Sequence, residues 1–413
     1  MAANSKCSAS FKQELTFNPK NPNTTMRYRI DRLHILLFLG ILISFAPLTA
    51  RERSSAEGDL KPYLSEPVLD IVSVHKGNRF PNIVVAMDGT LLAVWNGVVV
   101  KRSEDGGKTW GETISVGKGF MGGGVTVNER NGEIIAFVEE RHPPSPLTLF
   151  RSTDHGKSWT KMDAEIKADS NGNLPSSHMN EHGITLRHGK HAGRLLRPAR
   201  WYAGQNHRSK WPEHYTNAIY SDDGGKTWGT SEPFPALGTG EATLAELADG
   251  RIYYNTRRHW AEEGANPRRR WHAWSEDGGV SWKDFSICEI LPDGPQNTNY
   301  GCMAGLTRLA VDGRDIIVYS NCDSGGGRES SGVGRERGTA WASFDGGRTW
   351  PVKRLVQKGR FAYSSMTSGR PGTVTEGLIY IHYEGSGGSA VARFNLSWLL
   401  KGEATGDGKI PKL

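Results

Sequence analysis

Short apolar or alternating runs, each closed by a corner rich in Gly, Pro, Asn or Asp, recur along the chain from residue 68 onward. Residues 68–74 (VLDIVSV), 82–86 (NIVVA) and 90–95 (TLLAVW) are such runs, the last two parted by Met87-Asp88-Gly89. Others occupy 122–127, 133–139 and 306–309, and GLIYIHYEGSGGSAVARFN (377–395) supplies two more. Stretches of this length between turn residues read as β-strands. Residues 1–50 and the polar stretch RERSSAEGDLKPYLS (51–65) stand apart, the latter as a linker, and 403–413 read as a C-terminal tail.

One eight-residue plan punctuates the strands: Ser, any residue, Asp, any residue, Gly, any residue, Ser or Thr, Trp. It occurs as SEDGGKTW (103–110), STDHGKSW (152–159), SDDGGKTW (221–228), SEDGGVSW (275–282) and SFDGGRTW (343–350). The Asp can accept hydrogen bonds from backbone amides at a tight corner, and the Gly supplies the positive φ that the corner needs. The Trp is a large anchor for the next strand. Successive copies start 49, 69, 54 and 68 residues apart. Each interval holds about four strands with their loops, the content of a propeller blade.

These boxes, on these intervals, resemble those of the sialidases, whose six-bladed propellers carry "Asp boxes" on hairpin turns. The resemblance implies an all-β fold, a six-bladed β-propeller of four-stranded antiparallel blades over residues 66–402. In propellers the last blade is commonly closed by strands from both chain ends, and residues 68–74 are the natural partner for the final strands.

The resemblance extends to site motifs. Arg79-Phe80-Pro81 resembles the Arg, apolar residue and Pro that open the first sialidase blade. LGTGEATLAELADGRIYYNTRR (237–258) resembles the hairpin that carries a catalytic Glu and ends on an Arg, which points to Glu241 and Arg257. The separation of 16 returns the chain to the same end of the blade, and Arg258 should face the other way. A third Arg precedes the last box in the family; Arg335 and Arg337 share one strand parity, and Arg335 matches the Arg-x-x-Gly-Thr pattern. Tyr363-Ser364 resembles the nucleophile strand, and Gln296 a loop at another strand entrance.

By that resemblance Arg79, Arg257 and Arg335 would grip a substrate carboxylate, since a guanidinium matches a carboxylate with two parallel charge-assisted hydrogen bonds. Tyr363 would be the nucleophile and Glu241 its base. A neutral nucleophile suits an anomeric carbon that already bears a carboxylate, because a second anion would be repelled. The family places its general acid, an Asp, in a loop after the second strand. Here that loop is only NGVVVKR (96–102), so the acid has to come from elsewhere. In AFVEERHPP (136–144), Glu139, Glu140 and His142 are candidates, and Glu140 is taken as the acid or a substrate contact. The loop 201–215, rich in Trp, Tyr, His and Arg, has the composition of a sugar-pocket wall.

Composition changes this picture little. The net charge of +7 divides into +4 from residues 1–50 and +3 from the rest, which gives no case for nucleic acid. The expected partners are sialylated or other acidic glycans. Arg27, Arg29 and Arg32 lead into an apolar run, 33–48, that ends Leu48-Thr49-Ala50, the layout of a secretory signal. The run falls short of the ~20 residues that span a bilayer, so an exported protein is expected, membrane-anchored only if the signal stays. Translation beginning at Met26 would give a signal of ordinary length. Cys288, Cys302 and Cys322 allow one disulfide, and neither their spacing nor that of His178 and His182 suggests a metal; no cofactor is expected.

Overall fold

The computed structural model describes residues 56–258, 260, 269–293, 301–323 and 334–413. The chain divides into Met1–Glu52 and Arg53–Leu413, and the described residues all lie in the second. The apolar signal run, Gln296 and the glycines 325–327 lie outside the described residues. Six small sheets of four or five strands make a six-bladed β-propeller. Strand pairing within the blades is antiparallel except where Glu165–Ile166 joins Thr227–Thr230 in parallel.

Each blade opens on an inner strand: Pro81–Val85, Phe120–Val127, Ile184–Thr185, Thr239–Glu246, Gly305–Arg308 and Ser364–Ser368. Polar side chains stitch neighbouring inner strands together. Ser365 Oγ accepts from the Ile83 amide at 2.9 Å, Asn82 Oδ1 from Val125 at 3.1 Å, and Asn180 Oδ1 from Ala242 at 3.0 Å. Apolar faces of adjacent blades fill the space between, as where Trp341, Trp350, Tyr253 and Leu291 pack together. Burial of this kind stabilises at roughly 25 cal/mol per Å² of apolar surface.

Every box occupies the corner between the third and fourth strands, its Ser being the last residue of the third strand. At the first box Ser103 Oγ donates to Asp105 Oδ1 at 2.8 Å, and Gly107 N donates to Ser103 Oγ at 2.9 Å. Thr109 donates from its amide and its hydroxyl to the two oxygens of Asp105. The other four repeat these bonds. The Trp anchors differ: Trp228 and Trp350 are fully buried, whereas Trp110, Trp159 and Trp282 are half-buried.

The sixth blade has no box because its fourth strand comes from the N-terminal end. Leu69–Lys76 pairs antiparallel with Gly388–Phe394, Leu69 opposite Phe394, and closes the ring. Both flanks of the propeller are docked as well. Tyr63 is buried, Gly58 bridges Val311, and Glu403–Ala404 adds an edge to Val352–Arg360.

Candidate active site

The inner strands all run from one mouth of the central channel to the other. Residues at or just before their first positions meet at one mouth, and there the structure brings together Arg79, Glu241, Arg257, Arg335 and Tyr363. Tyr363 precedes Ser364–Ser368, and its hydroxyl donates a hydrogen bond to Glu241 Oε1. The second Glu241 oxygen, Oε2, takes Arg257 Nη1 at 2.9 Å. Glu241 stands where the pairing of Thr239–Glu246 with Ile252–Arg258 slips, between Thr239 and Ala242. The irregularity re-aims the carboxylate along the channel. A side chain at Gly240 would press on the Arg200 guanidinium at 3.1 Å, so the residue beside Glu241 stays small.

The guanidinium carbons of Arg79 and Arg335 lie 4.8 and 5.0 Å from the Tyr363 ring centre. Arg257 is fully buried and reaches Asp293 at 3.6 Å as well as Glu241. Arg335 donates to the Gly301 carbonyl at 3.1 Å, and its Nε has no hydrogen-bond partner among the described residues. Arg337 turns away with φ of 56° and donates to the Asp323 carbonyl. Arg258 also faces away, over the Trp271 ring at 5.0 Å, as the hairpin parity predicts.

Burial alone would push the Glu241 carboxyl up, but Arg257, the Tyr363 hydroxyl and Arg200 outweigh it and hold it below the ordinary Glu range. Burial and the charge of Glu241 raise the Tyr363 hydroxyl, against the pull of Arg335, Arg257 and Arg79. The resting pair is therefore a neutral phenol hydrogen-bonded to a carboxylate, in line for proton transfer. The guanidinium groups beside them can hold a planar anion.

Several residues of this mouth are not visible in the sequence motifs. Glu384 Oε1 accepts from Arg79 Nε and from the Phe80 amide, both at 3.1 Å. It thereby holds Phe80 at φ of 70°, where a side chain is strained, with its ring 5.7 Å from that of Tyr363. Met179 Sδ lies 3.5 Å from the Tyr363 hydroxyl. Arg270 donates to the carbonyls of Glu241 and Cys302. The signal that could have found Glu384 is its place in Tyr383-Glu384-Gly385, the one carboxylate of its strand, at the strand's end.

Glu140 does not join this group. Its side chain is 56% exposed and pairs with Arg141 at 3.6 Å. Glu139 is buried and accepts from Ser176 Oγ, Ser177 N and Ser145 Oγ at 2.8, 3.1 and 3.3 Å. Burial pushes its carboxyl up to about 7. His142 sits nearer the mouth, its ring 5.0 Å from His178 and 6.1 Å from Tyr202, with Asn206 of the 201–215 loop against it at 3.2 Å. In the first blade Trp95 pairs directly with Val99, so that hairpin is a tight turn that carries no acid. The His182 ring nitrogens lie at the carbonyls of Gly183 and Met366. Among the described residues no cluster of His, Cys, Asp and Glu has the arrangement of a metal site.

A family model described as a BNR repeat-like domain matches residues 89–375. A sialidase from Micromonospora viridifaciens is 32% identical over 364 residues, covering 78% of this chain and 52% of its own. A sialidase from Bacteroides fragilis is 27% identical, covering 67% and 55%, and one from Vibrio cholerae 28% identical, covering 50% and 28%. The chain thus spans about a quarter to a half of the length of these relatives. Among solved structures a Hadza microbial sialidase superposes with a TM-score of 0.60 at 24% identity, covering 78% of this chain and 66% of that one. The intramolecular trans-sialidase of Ruminococcus gnavus does so with 0.58 at 15% identity, covering 79% and 96%.

Proposed function

Since the chain belongs to the BNR repeat-like domain family and its curated relatives are sialidases, we propose that it is an exo-acting sialidase. It releases terminal sialic acid from glycoconjugates with retention of configuration. The observation that carries this reading is the hydrogen bond from Tyr363 to Glu241 beside three arginines. A protein that only held an acidic sugar would need the arginines and no activated phenol.

On this reading Arg79, Arg257 and Arg335 hold the sugar carboxylate, and Arg335 keeps an unused donor for it. Tyr363 attacks the anomeric carbon and passes its proton to Glu241, so no second anion approaches the substrate's own. Water then attacks the covalent sugar, giving its proton to the group that had protonated the leaving oxygen, while Glu241 returns its proton to the departing Tyr363 oxygen. The leaving oxygen takes its proton from the 139–142 loop. Glu139 is committed to three donors inside the protein, which leaves Glu140 and His142 as the groups with access to solvent. Glu140→Gln and His142→Asn separate them: loss of the acid should slow a natural glycoside far more than an aryl glycoside with a good leaving group.

A second reading is favoured by one observation, the tight Trp95–Val99 turn where the family carries its acid. It is a propeller that binds acidic glycans, or cleaves another anionic polysaccharide. Release of sugar from a fluorogenic aryl sialoside and from sialyllactose, measured side by side, decides. Turnover of both supports the sialidase with a relocated acid, and turnover of the aryl substrate alone leaves the Tyr–Glu pair working without one. Turnover of neither gives the second reading.

A further inference from the structure

Cys302 and Cys322 stand directly behind Arg335. Their sulfurs are 3.6 Å apart, Cys322 donating to Cys302, and both are buried thiols rather than a disulfide. The backbone on either side ties them to the site. Gly301, one residue before Cys302, accepts from Arg335 Nη2 at 3.1 Å, and the Cys302 carbonyl accepts from Arg270 at 3.2 Å. Cys322 ends the strand Ile317–Cys322, whereas residues 301–304 lie outside any strand. Cys302 is thus the partner whose backbone is not locked in a ladder.

The two thiols are not equivalent. Burial would raise Cys302, but the hydrogen bond from Cys322 and the charges of Arg335 and Arg257 win and lower it. Cys322 is raised, first because it donates that bond and then by burial. The more acidic sulfur thus touches a protonated one inside the protein, the pairing from which a sulfenic acid is resolved as a disulfide. Cys288 is the internal contrast: it is buried too, its thiol is pushed up to about 11 by burial, and Tyr253 and Leu291 surround it rather than sulfur.

We propose that Cys302 and Cys322 form a reversible oxidation site, closed by hydroperoxides, whose disulfide state loosens the hold of Arg335 on an anionic ligand. The Cys302 sulfur attacks one peroxide oxygen and breaks the O–O bond; with hydrogen peroxide the other oxygen leaves as water, and Cys302 becomes a sulfenic acid. Cys322 then attacks that sulfur, its proton leaves with the hydroxyl as a second water, and the S–S bond forms. Two thiols lose two electrons and one peroxide gains them. Closing from 3.6 Å to the disulfide length of about 2.05 Å moves sulfur by roughly 1.5 Å. Because Gly301 adjoins Cys302, the carbonyl that positions Arg335 moves with it. The ligand half of this inference rests on the reading of Arg335 as a carboxylate-binding residue; the oxidation half does not.

The test treats the full chain with hydrogen peroxide, blocks remaining thiols with N-ethylmaleimide in denaturant, and maps the peptides. A peptide linking Cys302 to Cys322, with Cys288 still alkylated and dithiothreitol reversing the link, is expected. Both cysteines recovered as alkylated thiols, after peroxide has oxidised exposed methionines, would overturn the site. Calorimetric Kd for 2,3-didehydro-N-acetylneuraminate should rise about tenfold in the linked form, the scale of one charge-assisted hydrogen bond. An unchanged Kd in a fully linked sample would overturn the coupling. Cys322→Ser should yield no link and a Kd indifferent to peroxide, and a rise in that variant would overturn it equally. The peptide map is read without substrate, so failure of the sialidase reading leaves that result standing.

Discussion

The two mouths of the propeller channel hold much the same residue types and put them to opposite uses. At the far mouth, where the inner strands end, Arg187, Arg308 and Arg370 surround a cavity of about 90 Å³. Every one of them is matched to a carboxylate. Glu129 takes Arg370 at 2.6 Å and Arg187 at 2.8 Å, Arg308 is bound by Glu57 and reaches Asp315 at 3.2 Å, and Glu246 accepts the amides of Arg187 and His188. Burial would raise Glu129, but Arg370 and Arg187 bring it down to about 2. At the near mouth Arg257 has two carboxylates, Arg79 has one, and Arg335, Arg200 and Arg270 have none within ion-pair distance among the described residues. Buried cations are costly unless compensated. The far mouth is a belt of arginines matched to carboxylates, while the near mouth keeps guanidinium groups that the described residues leave without one. Arg335 differs most from the far-mouth arginines, since the described residues supply it with no carboxylate, whereas Arg79 and Arg257 already share theirs with the fold.

The largest effect is expected from Tyr363→Phe, which keeps the ring between Arg79 and Arg335 and removes only the hydroxyl. Turnover of an aryl sialoside should fall on the order of a thousandfold or more, with the melting temperature unchanged. Retention of a substantial fraction of the activity would break the account of the near mouth. A matched pair of variants separates the two mouths. Arg335→Met should weaken binding of a sialic acid analogue by roughly ten- to a hundredfold without lowering thermal stability, because no carboxylate is orphaned. Arg370→Met should leave binding intact and cost about 2–3 kcal/mol, since buried Glu129 keeps Arg187 alone. Equal effects on binding from both would erase the distinction between the mouths. Glu384→Gln, read as KM against kcat, sharpens it further. Arg79 and Phe80 lose one charged anchor, so KM should rise several-fold, roughly 1 kcal/mol, with kcat nearly constant.

A last effect concerns pH. Glu139, on the blade-two wall beside this mouth, is raised by burial to about 7 from an ordinary 4.5, against hydrogen bonds from Ser176, Ser177 and Ser145. The folded chain binds this proton more tightly than the unfolded one. Its contribution is therefore complete below about pH 4.5 and is lost as pH rises through 7, on the order of 3 kcal/mol in all. Glu139→Gln should flatten the decline of the melting temperature between those values. Parallel wild-type and variant curves would show that Glu139 does not carry that proton.

The parts of the molecule legible in the sequence are those whose physics is local. An Asp box closes its hydrogen bonds within eight residues, from Ser103 to Trp110 in the first copy, so its spacing announces a blade before any blade is seen. The hairpin through Ala248-Asp249-Gly250 likewise returns Arg257 to Glu241 across 16 residues, a distance set by strand pairing alone. Even the closing strand could be anticipated, because a ring of blades needs one strand from each end.

Parity could not choose between Arg335 and Arg337. The choice lies in tertiary structure, in a bulge at Glu336–Gly338 and a left-handed Arg337 that turn one guanidinium to Tyr363 and the other to Asp323. Glu384 reaches Arg79 across 305 positions, and Ser365 reaches Ile83 across 282. The same holds for the thiol pair behind Arg335 and for the outward turn of Glu140. The sequence by itself determined many of the strands and the corners of five blades, because each follows from hydrogen bonds and apolar faces within a few tens of residues, while the count of six was implied by the resemblance. Only the closed ring decided which arginines have counter-ions, since that depends on carboxylates from blades adjacent in space and remote in the chain.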